Sequence, residues 1–398
     1  MKILLVNKYH YLKGGAETYY FTLGKLLEKA GHTVIYFSMS SSENLPCKQE
    51  NYFVSHKEYV NKTTFIEKIK AFNTLIYSKE AYNKITKLIE NEKPDLAILS
   101  NIHRQLTTSI IDALYEHKIK IYWVVHDLIL LCPNYTMLNN KFEICEKCCG
   151  GKYFNCVKNK CVKNSYLKSF LAYREAKYNK KRNIVKKIDL FIAPSNFYRD
   201  KMIEYGFEPN KIKYIPNPIE IGDYIDSSNN KEDYYIYFGR LSREKGIKTL
   251  INACIKTNSK LIILGTGPIE KELKTYVANF ASNLIVFAGF AKGNKLKSYI
   301  LKSKAVVLPS EWYENGPYSA MEAMALGKPL IVRNNGGLPE LVDNGISGYI
   351  FNNFDELTSI LTHINEIGVS TKMCINSYLK AVSLFNSKDY LKRLMLNN

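Results

Sequence analysis

Acidic residues are scarce. The 398-residue chain sets 37 Asp and Glu against 56 Lys and Arg, a net charge of +19. That imbalance calls for an anionic partner or surface, and nucleoside diphosphates, anionic lipid and nucleic acid all qualify. No recognisable nucleic-acid-binding fold accompanies the charge, so no nucleic-acid partner is expected. Long hydrophobic runs are missing too. No apolar stretch reaches the ~18 residues of a membrane helix, although 46% of the chain is apolar, enough for real cores. No secretory leader is readable, because Met1-Lys2 passes straight into the strand-like Ile3–Val6. A cytoplasmic protein is expected. Its nine cysteines then read as thiols or metal ligands before disulfides.

The length suits two domains of about 150 to 200 residues. The first opens with a strand, Ile3–Val6, a glycine turn, Lys13-Gly14-Gly15-Ala16-Glu17, a helix to Ala30 and a second strand from Val34. This is the start of a doubly wound α/β domain. It lacks the third glycine and the closing acid of the dinucleotide fingerprint. Residues 40 to 93 are polar and read as helical. Two later strands, over residues 94–99 and 119–125, end at His103 and at His126-Asp127. Loops at the carboxyl ends of parallel strands are where such sheets bind ligands. A lone histidine can equally be a satisfied structural residue. Another strand, Leu190–Ala193, closes the first domain, taken as residues 1–219, and a polar linker follows over 220–233.

Residues 132–163 form a cysteine-rich insert. Cys145 and Cys148, then Cys156 and Cys161, are spaced as a structural zinc set. An iron–sulfur cluster and idle thiols stay open as alternatives. From Lys141 to Lys187 there are 14 Lys and Arg against three acids. Within that stretch Leu167, Phe170, Leu171 and Tyr178 fit one face of a helix over 166–182. A basic helix with aromatics can lie on anionic lipid, or be a domain helix with a solvated basic face.

The second domain, residues 234–377, starts with the strand Tyr234–Phe238 and the turn Gly239-Arg240-Leu241-Ser242-Arg243-Glu244-Lys245-Gly246. An Arg and a Lys five apart around a strand end can clamp a diphosphate. Leu261–Leu264 runs into Gly265-Thr266-Gly267-Pro268, where backbone can approach a nucleotide. The densest stretch is residues 309–339, PSEWYENGPYSAMEAMALGKPLIVRNNGGLP. A strand ends at Pro309, Asn315-Gly316-Pro317 breaks the chain, and a run of helix formers over 319–326 stops at Gly327. Glu314 precedes that helix and Glu322 lies inside it. A carboxylate beside a helix N-terminus can accept two hydroxyl hydrogen bonds next to a bound anion. The tail over 378–398 reads as one helix.

This Glu-x7-Glu stretch, with the Gly-Arg-x-x-x-x-Lys-Gly turn, the Gly-Gly-x-Glu loop and the strand-end His-Asp, resembles glycosyltransferase family 4. The motifs span both halves. The resemblance implies two Rossmann-like domains facing a central cleft (the GT-B fold), with the C-terminal helix returning to the first domain. It implies a retaining transfer of sugar from a nucleoside-diphosphate sugar to a glycan or lipid-linked acceptor, of the bacterial surface-polysaccharide type. Arg240, Lys245, Gly265, Gly267, Asn315, Gly316, Glu322 and Gly15 would hold the donor. His126 and Glu314 would stand at the reaction, and Gly14, Glu17 and His103 on the acceptor side. The Arg240–Lys245 clamp and the lack of any Asp-x-Asp imply catalysis without a divalent metal. The basic first half implies peripheral docking on the inner face of the plasma membrane. Two departures are visible: Glu-Asn-Gly-Pro replaces the family's usual loop sequence, and Asn217-Pro218 replaces Asn-Gly. The competing readings are a sugar-nucleotide epimerase of the same fold and a non-enzymatic, basic, zinc-containing binding module.

Overall fold

Short apolar runs become parallel strands because helical crossovers cover both sheet faces, so every inward and outward position is apolar. The computed structural model describes residues 1–56, 74–224, 232–280 and 283–395. Two compact units divide the chain, Met1–Pro218 with the residues from Leu391 onward, and Ile219–Tyr390. The first contains β1 (Lys2–Val6), β2 (Thr33–Phe37), β3 (Leu96–Leu99), β4 (Lys120–Val124), β5 (Leu190–Ala193) and β6 (Ile212–Tyr214). They form one parallel sheet in the order β2-β1-β3-β4-β5-β6. The order reverses between β1 and β3, which opens a crevice at their carboxyl ends.

The second unit contains β7 (Tyr235–Phe238), β8 (Leu261–Leu264), β9 (Ile285–Gly289), β10 (Val306–Leu308), β11 (Leu330–Arg333) and β12 (Gly348–Phe351). Its parallel order is β12-β11-β10-β7-β8-β9. Here the reversal lies between β7 and β10. Alternate strand residues feed two cores on opposite sheet faces. Tyr235, Tyr237, Leu261 and Ile263 pack on one, Ile236, Phe238, Val306 and Leu308 on the other.

Three expectations need adjustment. Of the polar stretch 40–93, helix Lys79–Glu92 is seen, while 57–73 lie outside the described residues, as do 225–231 of the expected linker. The tail is two helices, Thr371–Phe385 and Ser387–Met395, rather than one. The first stays in the second unit because Ala381 and Phe385 are buried in its core and the Ile219 N–H is bonded to the Phe385 carbonyl at 3.2 Å. Only from Leu391 does the chain belong to the first unit, where the Lys213 Nζ donates to the Arg393 carbonyl at 2.7 Å.

The third concerns helix Tyr166–Lys181. Its buried residues are Ser169, Ala172 and Glu175, while Tyr166, Leu167, Phe170 and Tyr178 face solvent. Polar anchors fix this rotation. The Ser165 hydroxyl caps the helix, accepting from the Lys168 N–H at 3.4 Å, and the Arg182 guanidinium grips Asp112 and the Thr108 hydroxyl.

Candidate active site

In the second unit the reversal of strand order brings three loops together. The turn after β7 carries Arg240 and Lys245, the loop after β10 carries Glu314, and the loop after β11 carries Asn335-Gly336-Gly337. Lys245 Nζ lies 2.6 Å from Glu314 Oε1, and the Ser310 hydroxyl donates to the same oxygen at 2.6 Å. Burial alone would raise the Glu314 carboxyl. The Lys245 charge and the bonds from Lys245 and Ser310 outweigh it and hold the group below its ordinary value. The Gly337 N–H donates to the Glu314 carbonyl at 2.7 Å. Gly336 has φ +64°, and a Cβ there would meet that carbonyl oxygen at 2.3 Å. Only glycine fits.

Sequence reading missed Ser310, Gly336 and Gly337 as partners of Glu314. Their signal is the Asn-Asn-Gly-Gly run directly after a strand.

Gly265 and Gly267 line the neighbouring loop after β8. Gly265 has φ +125°, and a Cβ on it would meet the Gly239 carbonyl oxygen at 1.9 Å. Its role in the fold is therefore to let two strand-end turns lie against each other. Arg240 is exposed at the rim, with its carbonyl accepting from the Tyr237 hydroxyl at 2.9 Å. Asn315 and Gly316 are half-buried before helix Tyr318–Ala325, whose N-terminus has no side-chain cap. Its first N–H groups stay available to an anion. Glu322, in the same helix, is half-buried. Burial raises its carboxyl, and no side chain among the described residues hydrogen-bonds it. The two glutamates thus differ in kind. Glu314 Oε1 is held by two protein donors, whereas no side chain among the described residues hydrogen-bonds Glu322.

In the first unit the corresponding crevice is organised by Asn7, at the end of β1. Its Nδ2 donates to Glu17 Oε1 at 3.1 Å, and its Oδ1 accepts from the Asn101 N–H at 3.2 Å. Nothing in the local pattern singles out Asn7. Gly14 precedes helix Gly15–Lys29 with φ −170°, an extended conformation open to any residue. Glu17, in the first turn, is buried with its carboxyl raised by that burial against the Asn7 bond.

His126, after β4, packs edge-on against Tyr19 with ring centroids 4.9 Å apart, and its Nε2 is 3.3 Å from the Ser100 hydroxyl. Burial pushes its pKa down to about 4, so the ring is neutral at pH 7. Such a ring can donate or accept one hydrogen bond without carrying charge. His103 stacks near Trp123 and stands 4.0 Å from Glu175 Oε1. Burial, then the Arg104 and Lys8 charges, bring its pKa to about 3. Burial lifts Glu175 to about 7 and Asp127 to about 6, against the pull of Arg104 on both. These two acids were not anticipated. Glu175 comes from a distant helix, and Asp127 was read only as the neighbour of His126.

Cys132 joins the cysteines of the insert, and Cys132, Cys145, Cys148, Cys156 and Cys161 lie close enough to act on one another. Cys132 pairs with Cys148, and Cys156 with Cys161. Cys148 and Cys156 share a small buried cluster with Val162 and Ala172. Cys132, from the loop after His126-Asp127, and Cys145 both lie near Cys148. Among the described residues no group of three or more His, Cys, Asp or Glu side chains is placed to hold a metal ion.

The profile of Glycosyltransferase Family 4 matches residues 13–222, over half the chain, and that of Glycosyl transferases group 1 matches residues 224–372. The chain belongs to glycosyltransferase family 4. As a family-4 enzyme it is a glycosyltransferase that uses a nucleotide sugar.

Among its relatives is an uncharacterized 42.6 kDa protein in the cps region of Klebsiella pneumoniae, 22% identical, with 94% of this chain and 96% of that protein covered. The putative colanic acid biosynthesis glycosyltransferase WcaL of Salmonella typhimurium is 27% identical over 41% of this chain and 43% of its own length. Among solved structures, HepE of Anabaena in complex with UDP superposes with a TM-score of 0.69 at 17% identity, covering 99% of this chain and 98% of that one. The lipopolysaccharide outer core galactosyltransferase WaaB gives 0.68 at 14%, covering 99% of each. These likenesses establish the GT-B fold for this family-4 chain.

Proposed function

We propose that this family-4 glycosyltransferase moves a sugar from a nucleoside-diphosphate sugar to a glycan or lipid-linked acceptor with retention of anomeric configuration, in the assembly of a bacterial surface polysaccharide. The observation that carries the reading is the contrast between Glu314 and Glu322. A half-buried carboxylate with no side-chain hydrogen bond among the described residues, next to an uncapped helix N-terminus, suits a ligand that brings both hydroxyls and a diphosphate. Arg240 and the first N–H groups of helix Tyr318–Ala325 would take the charge that develops on the leaving diphosphate, the sort of electrostatic stabilisation that dominates many transfers. Lys245, oriented by Glu314, adds a second cation. Neutral His126 would hydrogen-bond the transferred sugar and leave proton transfer to other groups.

These cations do the work a divalent ion does elsewhere, so chelator leaves turnover unchanged. UDP in HepE, and colanic acid in the name of WcaL, support the donor class and the pathway type. Among the described residues no helix is long and apolar enough to cross a membrane, and a peripheral place on the inner face of the plasma membrane fits the basic first unit.

The test is donor binding by calorimetry across a panel of nucleotide sugars, followed by product analysis with lipid-linked acceptors and chelator present. Glu322→Ala removes a charged hydrogen-bond acceptor worth ~1.5–3 kcal/mol, so donor affinity should fall about 10- to 100-fold. Unchanged affinity overturns the assignment. Release of an epimerised nucleotide sugar, with no glycoside formed, would turn the reading to epimerase.

A further inference from the structure

Helix Tyr166–Lys181 is inverted relative to an ordinary surface helix. Tyr166 is 59% exposed, Leu167 67% and Phe170 37%, and Phe154 of the insert is 48% exposed beside them. The aromatics are continuous. Phe154 meets Tyr173 edge-on at 5.5 Å, and Tyr173 lies 5.9 Å from Phe170. Singly scattered surface apolars need no explanation, whereas a joined patch marks an interaction site.

The charge around the patch has one sign. From Lys147 to Arg182 there are eleven Lys and Arg and one acid, Glu175, and that acid is buried on the inner face. Between insert and helix lies a cavity of about 470 Å³, lined by Lys152, Lys158, Lys177 and Lys180 and by Tyr153, Phe154 and Tyr173. Lys180 Nζ is held 3.3 Å from the Gly150 carbonyl. Lys177 and Lys158 lie 5.8 and 5.9 Å from the centroids of the Tyr173 and Phe154 rings. None of the four ammonium groups has a carboxylate partner among the described residues.

We propose that this face docks on an anionic bilayer, with Tyr166, Leu167, Phe170 and Phe154 entering the interface while the lysine-lined cavity takes a lipid phosphate. Apolar side chains ringed by lysines are the composition of an interfacial helix. A second copy of the chain would bring the same lysines against these and be repelled, so charge selects the bilayer as occupant. The proposal deepens the membrane-borne acceptor reading above and rests on it for its purpose. The helix has a part in both roles, since its inner Glu175 stands 4.0 Å from His103 after β3.

The experiment is co-sedimentation of the full chain with phosphatidylcholine vesicles, with and without phosphatidylglycerol. The wild type should sediment with the anionic vesicles and be released by salt. The variant carrying Lys152→Gln, Lys177→Gln and Lys180→Gln should partition about 100-fold more weakly, and Leu167→Ser with Phe170→Ser about tenfold more weakly. Unchanged circular dichroism and UDP affinity show that both variants are folded. Equal sedimentation with the two vesicle types overturns the proposal, as does a lysine variant that partitions like wild type. Tight calorimetric binding of inorganic phosphate with no vesicle binding also overturns it, assigning the cavity to a free anion. So does loss of a dimer in the Leu167→Ser and Phe170→Ser variant at unchanged vesicle binding. UDP affinity reports on the transferase reading separately. Its absence from a wild type that still binds vesicles would sink that reading and leave docking supported.

Discussion

Glu175 shows how one side chain can set a pH response. Burial raises its carboxyl from the ordinary 4.5 to about 7, with Asp127 adding to the rise and Arg104 opposing it. A raised carboxyl stabilises the fold in its protonated form. That contribution is fully present below pH 4.5 and is lost as pH climbs through 7. His103 and His126 work the other way, being depressed to about 3 and 4. Their contribution is present above pH 6.5 and is lost as pH falls, so the whole chain mixes opposed trends. Glu175→Gln isolates one of them. The variant should match wild type at pH 4.5 and exceed it by up to ~3 kcal/mol above pH 7. Denaturation midpoints of the two proteins at pH 5 and pH 8 give the comparison. A stability difference that does not change with pH would mean that Glu175 is charged in the folded protein.

At the level of elements, the strand-end motifs were legible because each is local. The turn with Arg240 and Lys245, the Gly265 loop and the Glu314 loop each follow an apolar run that can only be a buried strand. What was not legible depends on long-range packing. The outward face of helix Tyr166–Lys181 is set by Arg182 on Asp112, 70 residues away in the chain. The thiol pairing is set by the loop that carries Cys132. Spacing pairs Cys145 with Cys148, and the fold brings Cys132 near Cys148 as well.

The insert therefore gives a discriminating test. Cys156 is fully buried, and Cys156→Ser places a hydroxyl there at a cost of about 1–3 kcal/mol. Cys145 is only half-buried, and Cys145→Ser should change stability by no more than ~0.5 kcal/mol. Equal losses from both substitutions, together with about one zinc per chain by elemental analysis, would support the set Cys145, Cys148, Cys156 and Cys161.

For the whole molecule, the division of labour follows from where each group lies. Arg240, Lys245, Gly265, Glu314 and Glu322 all belong to the unit Ile219–Tyr390, and His103, His126 and Glu175 to the unit built on Met1–Pro218. Both sheets have reversed strand order, and in the second the turn with Arg240 and Lys245 and the uncapped helix Tyr318–Ala325 follow the neighbouring strands β7 and β10. UDP should thus engage the second unit. Binding to the folded form alone stabilises it by about 2.7 kcal/mol at a hundredfold excess over Kd, and groups that touch the ligand open least often. Hydrogen exchange of the intact chain with and without UDP reads this out locally. Protection is expected in the peptides holding residues 239–246, 264–268 and 314–325, with the β1 and β3 amides unchanged. Arg240→Ala should reduce the protection in all three peptides together, because the turn, the glycine loop and the helix N-terminus share one diphosphate. Protection confined to the first unit would place the nucleotide on the wrong sheet, and with it the roles given to Glu322 and Arg240.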